Sequence, residues 1–168
     1  SVLVQAENPA SRSKSSILEQ IDRTSAATMP VCLDRATYNT LGGSSWSKLG
    51  ESVSWEFDVK TAGWYCLNLR VRQDYSAGAV SCRRLLVDGK VLTDSTAEIT
   101  IPYDSAWQGF TVSDEEGEPY WIYFDAGTHT VTLSSSLGSL NEVVPIVQNS
   151  VSECNLIYRR IIMITGTD

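Results

Sequence analysis

The run Ser52-Val53-Ser54-Trp55-Glu56-Phe57-Asp58-Val59-Lys60-Thr61-Ala62-Gly63-Trp64-Tyr65-Cys66-Leu67-Asn68-Leu69-Arg70-Val71-Arg72 decides the fold class. In its first half Val53, Trp55, Phe57 and Val59 alternate with Ser52, Ser54, Glu56 and Asp58. Successive side chains of a strand point to opposite faces, so this pattern predicts a half-buried strand with one apolar face. Tyr65, Leu67, Leu69 and Val71 repeat the alternation against Cys66, Asn68, Arg70 and Arg72. Thr61-Ala62-Gly63 lies between the two runs, and a short Gly-containing link of this kind predicts a β-hairpin.

The same pattern continues downstream. Residues 80–87 predict a third strand, with a phase break at Leu85-Leu86 that reads as a bulge. Asp88-Gly89 favours a type I′ turn, which returns 90–92 antiparallel. Residues 98–101 form a further short strand, and 102–117 read as a loop rich in aromatic residues. Residues 120–124 and 128–133 predict a second hairpin around Asp125-Ala126-Gly127. Residues 143–147 read as a strand weakened by Pro145. The apolar stretch 155–164 fits either a closing strand or the start of a helix.

Upstream the signals are sparser. Val2-Leu3-Val4 with Ala6-Glu7 reads as a short first strand, and 11–16 as a polar loop. Residues 16–21 predict one or two helical turns near the N-terminus, capped by Ser15 or Ser16. Residues 24–47 have no sustained period and contain Pro30, Gly42 and Gly43, which predicts a long surface excursion of the kind that carries function. Many short strands with almost no helical period mean an all-β, antiparallel β-sandwich or barrel. Residues 1–150 are expected to form that sandwich. Residues 151–168 are expected to be a closing strand or the start of a following element, cut short at Thr165-Gly166-Thr167-Asp168.

Composition narrows the partners. The chain has 168 residues, the size of one domain, and 42% of them are hydrophobic. Its net charge of −7 repels phosphate backbones and anionic membranes. The basic pairs Arg83-Arg84 and Arg159-Arg160 are isolated, so no nucleic-acid footprint is present. No apolar run is long enough to enter a bilayer as a spanning helix. Polarity comes mainly from Ser, Thr, Asn and Gln, which points to an extracellular or cell-surface β domain. No secretory leader precedes Ser1, so it is expected to have been removed, or the chain to be an excised piece. Cys32, Cys66, Cys82 and Cys154 lack CxxC spacing, which excludes a typical zinc site. Cys66 and Cys82 are the better candidates for a disulfide. The competing reading is that they are small buried thiols.

A family resemblance enters on specific residues. Gly50-Glu51-Ser52-Val53-Ser54-Trp55-Glu56-Phe57-Asp58-Val59, followed by Ala62-Gly63-Trp64-Tyr65-Cys66-Leu67-Asn68-Leu69-Arg70, resembles carbohydrate-binding modules of families six and thirty-five. Val87-Asp88-Gly89-Lys90, the stretch from Phe124 through Gly127-Thr128-His129 to Leu133, and the opening Val4-Gln5-Ala6-Glu7-Asn8 are similar to the same group. The resemblance implies a galactose-binding-like jelly roll and a glycan ligand, an oligosaccharide or polysaccharide. It also implies a structural calcium site in which Glu7 matches one ligand, while Ile157 stands where the group has an aspartate. Glu118-Pro119-Tyr120 and the 158–164 tail are similar to domains inserted in large solute-binding lipoproteins of Gram-positive bacteria. That second resemblance implies other domains of the parent protein as partners.

Sugars are held by aromatic faces over their C–H patches and by planar polar groups on their hydroxyls. Trp55 and Tyr65 lie on apolar phases and are assigned to the core. Trp64 is out of phase beside a turn, and Trp121 and Tyr123 are expected on the outer face. Trp46, Tyr75, Tyr103 and Trp107 fall in predicted loops, and Arg72 and Asp74 sit where a strand ends. The candidate sugar-binding residues are therefore Trp46, Arg72, Asp74, Tyr75, Tyr103 and Trp107. Catalysis finds little support. The single histidine, His129, follows a turn, Asp114-Glu115-Glu116 has no carboxylate placed opposite it, and no phosphate loop or metal cluster is present. The expected function is a non-catalytic glycan-recognition module of a secreted or cell-surface bacterial protein. The alternatives are a structural or interaction domain of a solute-binding protein of a sugar importer and, behind it, a glycoside hydrolase piece.

Overall fold

The computed structural model describes residues 1–31, 36–141 and 143–166. Strands follow in chain order as β1 (Ser11–Arg12), β2 (Glu19–Gln20), β3 (Thr40–Leu41), β4 (Ser52–Val59), β5 (Gly63–Cys66), β6 (Asn68–Gln73) and β7 (Ser81–Val87). After them come helix α1 (Asp94–Ala97), β8 (Glu98–Ile101), β9 (Asp104–Thr111), β10 (Trp121–Phe124), β11 (Gly127–Ser136) and helix α2 (Val143–Thr165). The chain divides into two compact units, Ser1–Ser136 and Leu137–Asp168.

The first unit is an antiparallel β-sandwich. One layer is a five-stranded sheet in the order β1-β4-β11-β7-β8. The other is built from the β10-β5 and β6-β9 ladders. β5 and β6 follow each other with only Leu67 between them, and the Leu67 carbonyl accepts the Val112 N–H at 3.0 Å. The core lies between the layers. Val53, Trp55, Val59, Leu85, Val131 and Leu133 face Val112, Ile122 and Phe124, with Tyr65, Leu67, Leu69 and Phe110 packed against them.

The strand phases agree with the alternation in the sequence, but their pairing does not. β4 and β5 do not form a hairpin, and neither do β10 and β11. β4 pairs with β11 from Val59↔Gly127 to Ser52↔Ser134, while β5 pairs with β10 from Gly63↔Phe124 to Cys66↔Trp121. The two expected hairpins have exchanged partners, so each short link crosses from one layer to the other. A period of two says which face of a strand is buried, and both arrangements bury the same faces. The link at 60–62 also lacks the two-residue Asn-Gly or Asp-Gly type that holds adjacent strands together. Such a dipeptide does occur at Asp88-Gly89, with φ values of 49° and 74°. There Val87 and Lys90 exchange both backbone hydrogen bonds at 2.9 Å.

Other expectations need correction. The expected N-terminal strand at 2–7 is not formed, and the first strand is Ser11–Arg12, paired to β4. Residues 16–21 form no helix. They lead into β2, whose Glu19 and Gln20 pair with Leu41 and Thr40. No bulge occurs at Leu85-Leu86, because β7 keeps an unbroken register against β11. The expected loop at 102–117 contains the eight-residue strand β9. Residues 143–147 open helix α2 rather than forming a strand. Pro145 lies in its first turn, where a missing N–H costs no intrahelical bond. Of the two alternatives for 155–164, the helix is the one formed, and residue 150, the expected domain limit, falls inside α2. Cys66, Cys82 and Cys154 are free thiols, and Cys32 lies outside the described residues.

Candidate functional site

Arg72, near the end of β6, organises a cluster that the sequence divides among distant segments. Its Nη1 donates to the Asp22 carboxylate and the Thr24 hydroxyl, both at 3.1 Å. Its Nε lies 3.2 Å from Asp74. Its guanidinium carbon stands 5.0 Å from the Trp107 ring centroid, a cation–π distance. Nη2 has no partner among the described residues and remains a free donor. Trp107 is brought here by β9, which pairs with β6.

Asp22 is held in place by the foot of the long excursion. The Asn39 side-chain amide accepts from the Asp22 N–H at 2.7 Å and donates to its carbonyl at 2.8 Å. Thr24 adds a hydroxyl bond at 2.7 Å and a backbone N–H at 3.2 Å to the Asp22 carboxylate. Burial is the largest single influence on Asp22 and acts to raise its pKa. Thr24, the Trp107 indole and the Arg72 charge together outweigh it, so the pKa lies below the usual 3.8 and Asp22 is ionised at neutral pH. Two carboxylates, Asp22 and Asp74, thus surround one guanidinium. The cluster is not an anion trap; its free donor and aromatic face suit an uncharged, hydroxyl-rich ligand.

Beside the cluster lies a cavity of about 300 Å³, lined by Thr24, Ser25, Ser105, Ala106 and Trp107. That is the small end of the usual ligand-site range of about 300–1,000 Å³. The Trp107 Nε1–H is buried beside Asp22, whose charge it favours, yet it meets no acceptor at hydrogen-bonding geometry. A buried indole N–H normally finds a partner.

Of the residues expected at a sugar site, Arg72, Asp74 and Trp107 are therefore in contact. Tyr103, which directly precedes β9, and Tyr75 are exposed, at 41% and 91%. Neither joins the cluster through a side-chain contact. Trp46 departs from expectation: it is a core residue, 8% exposed, and does not project from a loop. Its indole donates to the Glu51 carbonyl at 2.9 Å and its ring lies against Trp55. The Arg83 guanidinium covers it at 4.7 Å. The excursion folds back under the sandwich at that point, and the apolar ring goes with it. Sequence reasoning did not single out Asp22, Thr24 and Ser25. Asp22-Arg23-Thr24 does have the form of an Asx-type turn, the one local signal available.

Glu7, the expected calcium ligand, is buried at 6% exposure with Oε2 unpartnered. It borders a cavity of about 450 Å³ with Asn8, Glu19, Pro30, Thr37 and Tyr38. Glu19 is engaged by Arg12. Ile157 belongs to α2, so 155–158 contributes no closing strand to the sandwich. No group of three or more His, Cys, Asp or Glu is arranged to hold a metal among the described residues. Calcium requires roughly six to eight oxygen ligands, more than the described residues bring together at Glu7.

The remaining reactive groups are committed to turns. Asp114 accepts the backbone N–H groups of Glu116 and Glu118 at 3.0 Å each. His129 Nδ1 meets Asp88 at 2.8 Å, and its Nε2 meets the Asp125 carbonyl at 3.0 Å.

No known protein family and no curated protein matches the chain. Solved structures do. The cycloisomaltooligosaccharide glucanotransferase of Paenibacillus sp., complexed with cycloisomaltoheptaose, aligns over 80% of this chain and 16% of its own, at 20% identity and a TM-score of 0.54. The GH26-CBM35 β-(1,4)-mannanase of Podospora anserina aligns over 79% of this chain and 27% of its own, at 12% identity and a TM-score of 0.51. These two likenesses show the fold, a jelly-roll β-sandwich. A CBM35 from Cellvibrio japonicus Abf62 also aligns, over 79% of this chain and 82% of its own, at 18% identity and a TM-score of 0.49. The jelly roll described here spans only a small part of the first two enzymes. No helix among the described residues is long and apolar enough to cross a membrane.

Proposed function

We propose that this jelly roll is a non-catalytic carbohydrate-binding module of a secreted or cell-surface bacterial protein, and that it binds sugar in the cleft at Trp107 and Arg72. One observation carries the reading: the Trp107 ring lines a cavity beside a guanidinium that has a spare donor. A sugar ring supplies both complements, a C–H face for the indole and a hydroxyl for Arg72 Nη2. Fold likeness to a cycloisomaltooligosaccharide glucanotransferase and to a β-(1,4)-mannanase supports a glycan ligand and suggests which probes to try first. The test is affinity electrophoresis and calorimetry against mannan, dextran, xylan and mucin glycans, with Trp107→Ala beside the parent. Binding that Trp107→Ala reduces at least tenfold is expected. Absence of binding across the panel would sink the reading.

A second reading has its own observation. Leu156, Ile161 and Met163 are exposed on α2. An interaction element that positions neighbouring domains of a larger protein would use such a surface. Sedimentation of the parent and of a Leu156→Glu/Ile161→Glu variant tests it, with loss of self- or partner association as the expected result.

A further inference from the structure

Resting on the reading of the Trp107 cleft, we infer that it is one end of a longer site, and that the outer face of the β5–β6 strand with its neighbours binds an extended glycan chain along the strand direction. From Trp64 to Arg72 every second side chain points away from the core. The paired strands complete the rows. Trp64 stands opposite Tyr123, Cys66 opposite Trp121, Asn68 opposite Thr111 and Arg70 opposite Gly109. Arg72 against Trp107 closes the series. At about 3.3 Å per residue, this face runs for roughly 26 Å.

The far end is aromatic and open. Trp64 is 66% exposed, Trp121 56% and Tyr123 52%. Trp64 and Tyr123 hold each other in a T-shaped contact at 5.5 Å. Large aromatic faces left this exposed on one patch mark an interaction site more often than a chance surface. The middle is polar, with Thr111 donating to Asn68 at 2.6 Å and Arg70 to Ser25 at 2.9 Å. Aromatic faces followed by amide, hydroxyl and guanidinium groups along one line are the complements of successive sugar rings.

Gly109 points the same way through a different observation. Glycine weakens a strand interior, and where the backbone does not need it, it often marks the close approach of a ligand. Gly109 has no positive φ, and a Cβ built on it would meet nothing within 4 Å. Neither conformation nor packing explains the glycine. It leaves an open strip between the aromatic end and the Trp107 cleft, where a bound chain would pass.

The experiment is a chain-length series, from disaccharide to hexasaccharide, of whichever linkage binds among mannose, xylose and α-1,6-linked glucose oligosaccharides. Calorimetry would be run on the full chain and on Trp107→Ala, Trp64→Ala/Trp121→Ala and Gly109→Leu. The parent is expected to gain at least tenfold in affinity from the shortest to the longest probe. Trp64→Ala/Trp121→Ala and Gly109→Leu should flatten that gain while leaving disaccharide affinity within about twofold of the parent. All three positions tolerate change, two because they are exposed and the third because space surrounds it, and thermal midpoints check this. A flat parent series that Trp107→Ala still abolishes overturns the extended site and leaves the cleft intact. A length-dependent series unaffected by Trp107→Ala overturns the cleft. Binding at no length overturns both. Concentration-dependent dimerisation that disappears in Trp64→Ala/Trp121→Ala assigns the face to a second copy of the chain and overturns the glycan proposal.

Discussion

Replacing Arg72 by glutamine removes the charge that joins three segments of the cluster, and the structure sets the size of the effect. The Asp22 side chain is 5% exposed and that of Arg72 23%. A hydrogen bond to a charged group contributes about 1.5–3 kcal/mol, and a cation–π contact about 0.5–1 kcal/mol. The contact with Asp74, which is 51% exposed, adds about 0–1 kcal/mol and is taken as near zero. Thr24 continues to solvate Asp22 in the variant, so the expected destabilisation is about 2–3 kcal/mol, toward the low end for breaking a buried pair. For a sandwich of this size that lowers the thermal midpoint by roughly 6–12 °C. Urea unfolding of the parent, Arg72→Gln, Asp22→Asn and the double variant closes a thermodynamic cycle. The double variant should cost about 1–2 kcal/mol less than the sum of the singles. Additivity within about 0.5 kcal/mol would refute the coupling. The pH dependence has a definite sign. The Asp22 pKa is lowered on folding, so its contribution is complete above 3.8 and is lost as pH falls through the lower folded value. The gap between parent and Arg72→Gln should therefore narrow in acid.

Trp46→Phe tests the core assignment of a residue that the sequence places at the site. Losing the indole bond to Glu51 and part of the contact under Arg83 should cost about 1–2 kcal/mol in urea unfolding, with glycan binding unchanged; lost binding at full stability would contradict it. His129 is the only histidine, so its proton NMR titration is unambiguous. Hydrogen bonds to Asp88 and then to the Asp125 carbonyl raise its pKa, so the midpoint should lie above 6.5, and a value at or below 6.5 would refute the pair. The stability that the pair contributes is complete below 6.5 and is lost as pH rises through the folded value. On the acid side Asp88, lowered by His129 and the Thr130 N–H against the opposing effect of burial, loses its share below 3.8. A His129→Gln variant should accordingly differ most from the parent between those limits, read as thermal midpoint against pH. Asp88→Ala should cost about 1–2 kcal/mol by thermal unfolding, because it removes a residue suited to φ 49° along with the bonds to His129 and Thr130; an unchanged midpoint would contradict that role.

Strands β4 to β8, β10 and β11 were legible from residue type, while the partners of the longest were not. Val53, Trp55 and Val59 are buried because alternation forces one face inward, and that inference is local. Whether β4 pairs with β5 or with β11 depends on which arrangement closes the core, and both leave the same residues inside. β9 escaped for a related reason. Its core-facing phase carries the polar Gln108 before Phe110 and the adjacent Val112, so the period is too weak to register. Helix α2 escaped because Pro145 and a short β-branched run imitate an edge strand. Its length, which favours helix, becomes visible only when 143–165 is considered as one segment.

The site illustrates the same division between local and distant information. Arg72, Asp74 and Trp107 were singled out because aromatic and planar polar residues near strand ends are chemically suited to sugars, and the fold brings them into contact. Trp46 satisfied the same criterion and lies in the core, since a tryptophan in an irregular segment carries no mark of whether that segment turns outward or packs inward. What separates the two is the neighbour. Arg83 covers Trp46 and its ring packs on Trp55, whereas the Trp107 ring lines a cavity. Asp22 is the converse case. Its local turn with Thr24 is readable, but its value lies in reaching Arg72 fifty positions away, and that reach depends on the Asn39 amide closing the foot of the excursion. Asn39 does not line the Trp107 cavity, yet the position of Asp22 rests on its hydrogen bonds. Loosening Asn39 should therefore weaken the cleft without altering any group that a sugar would touch.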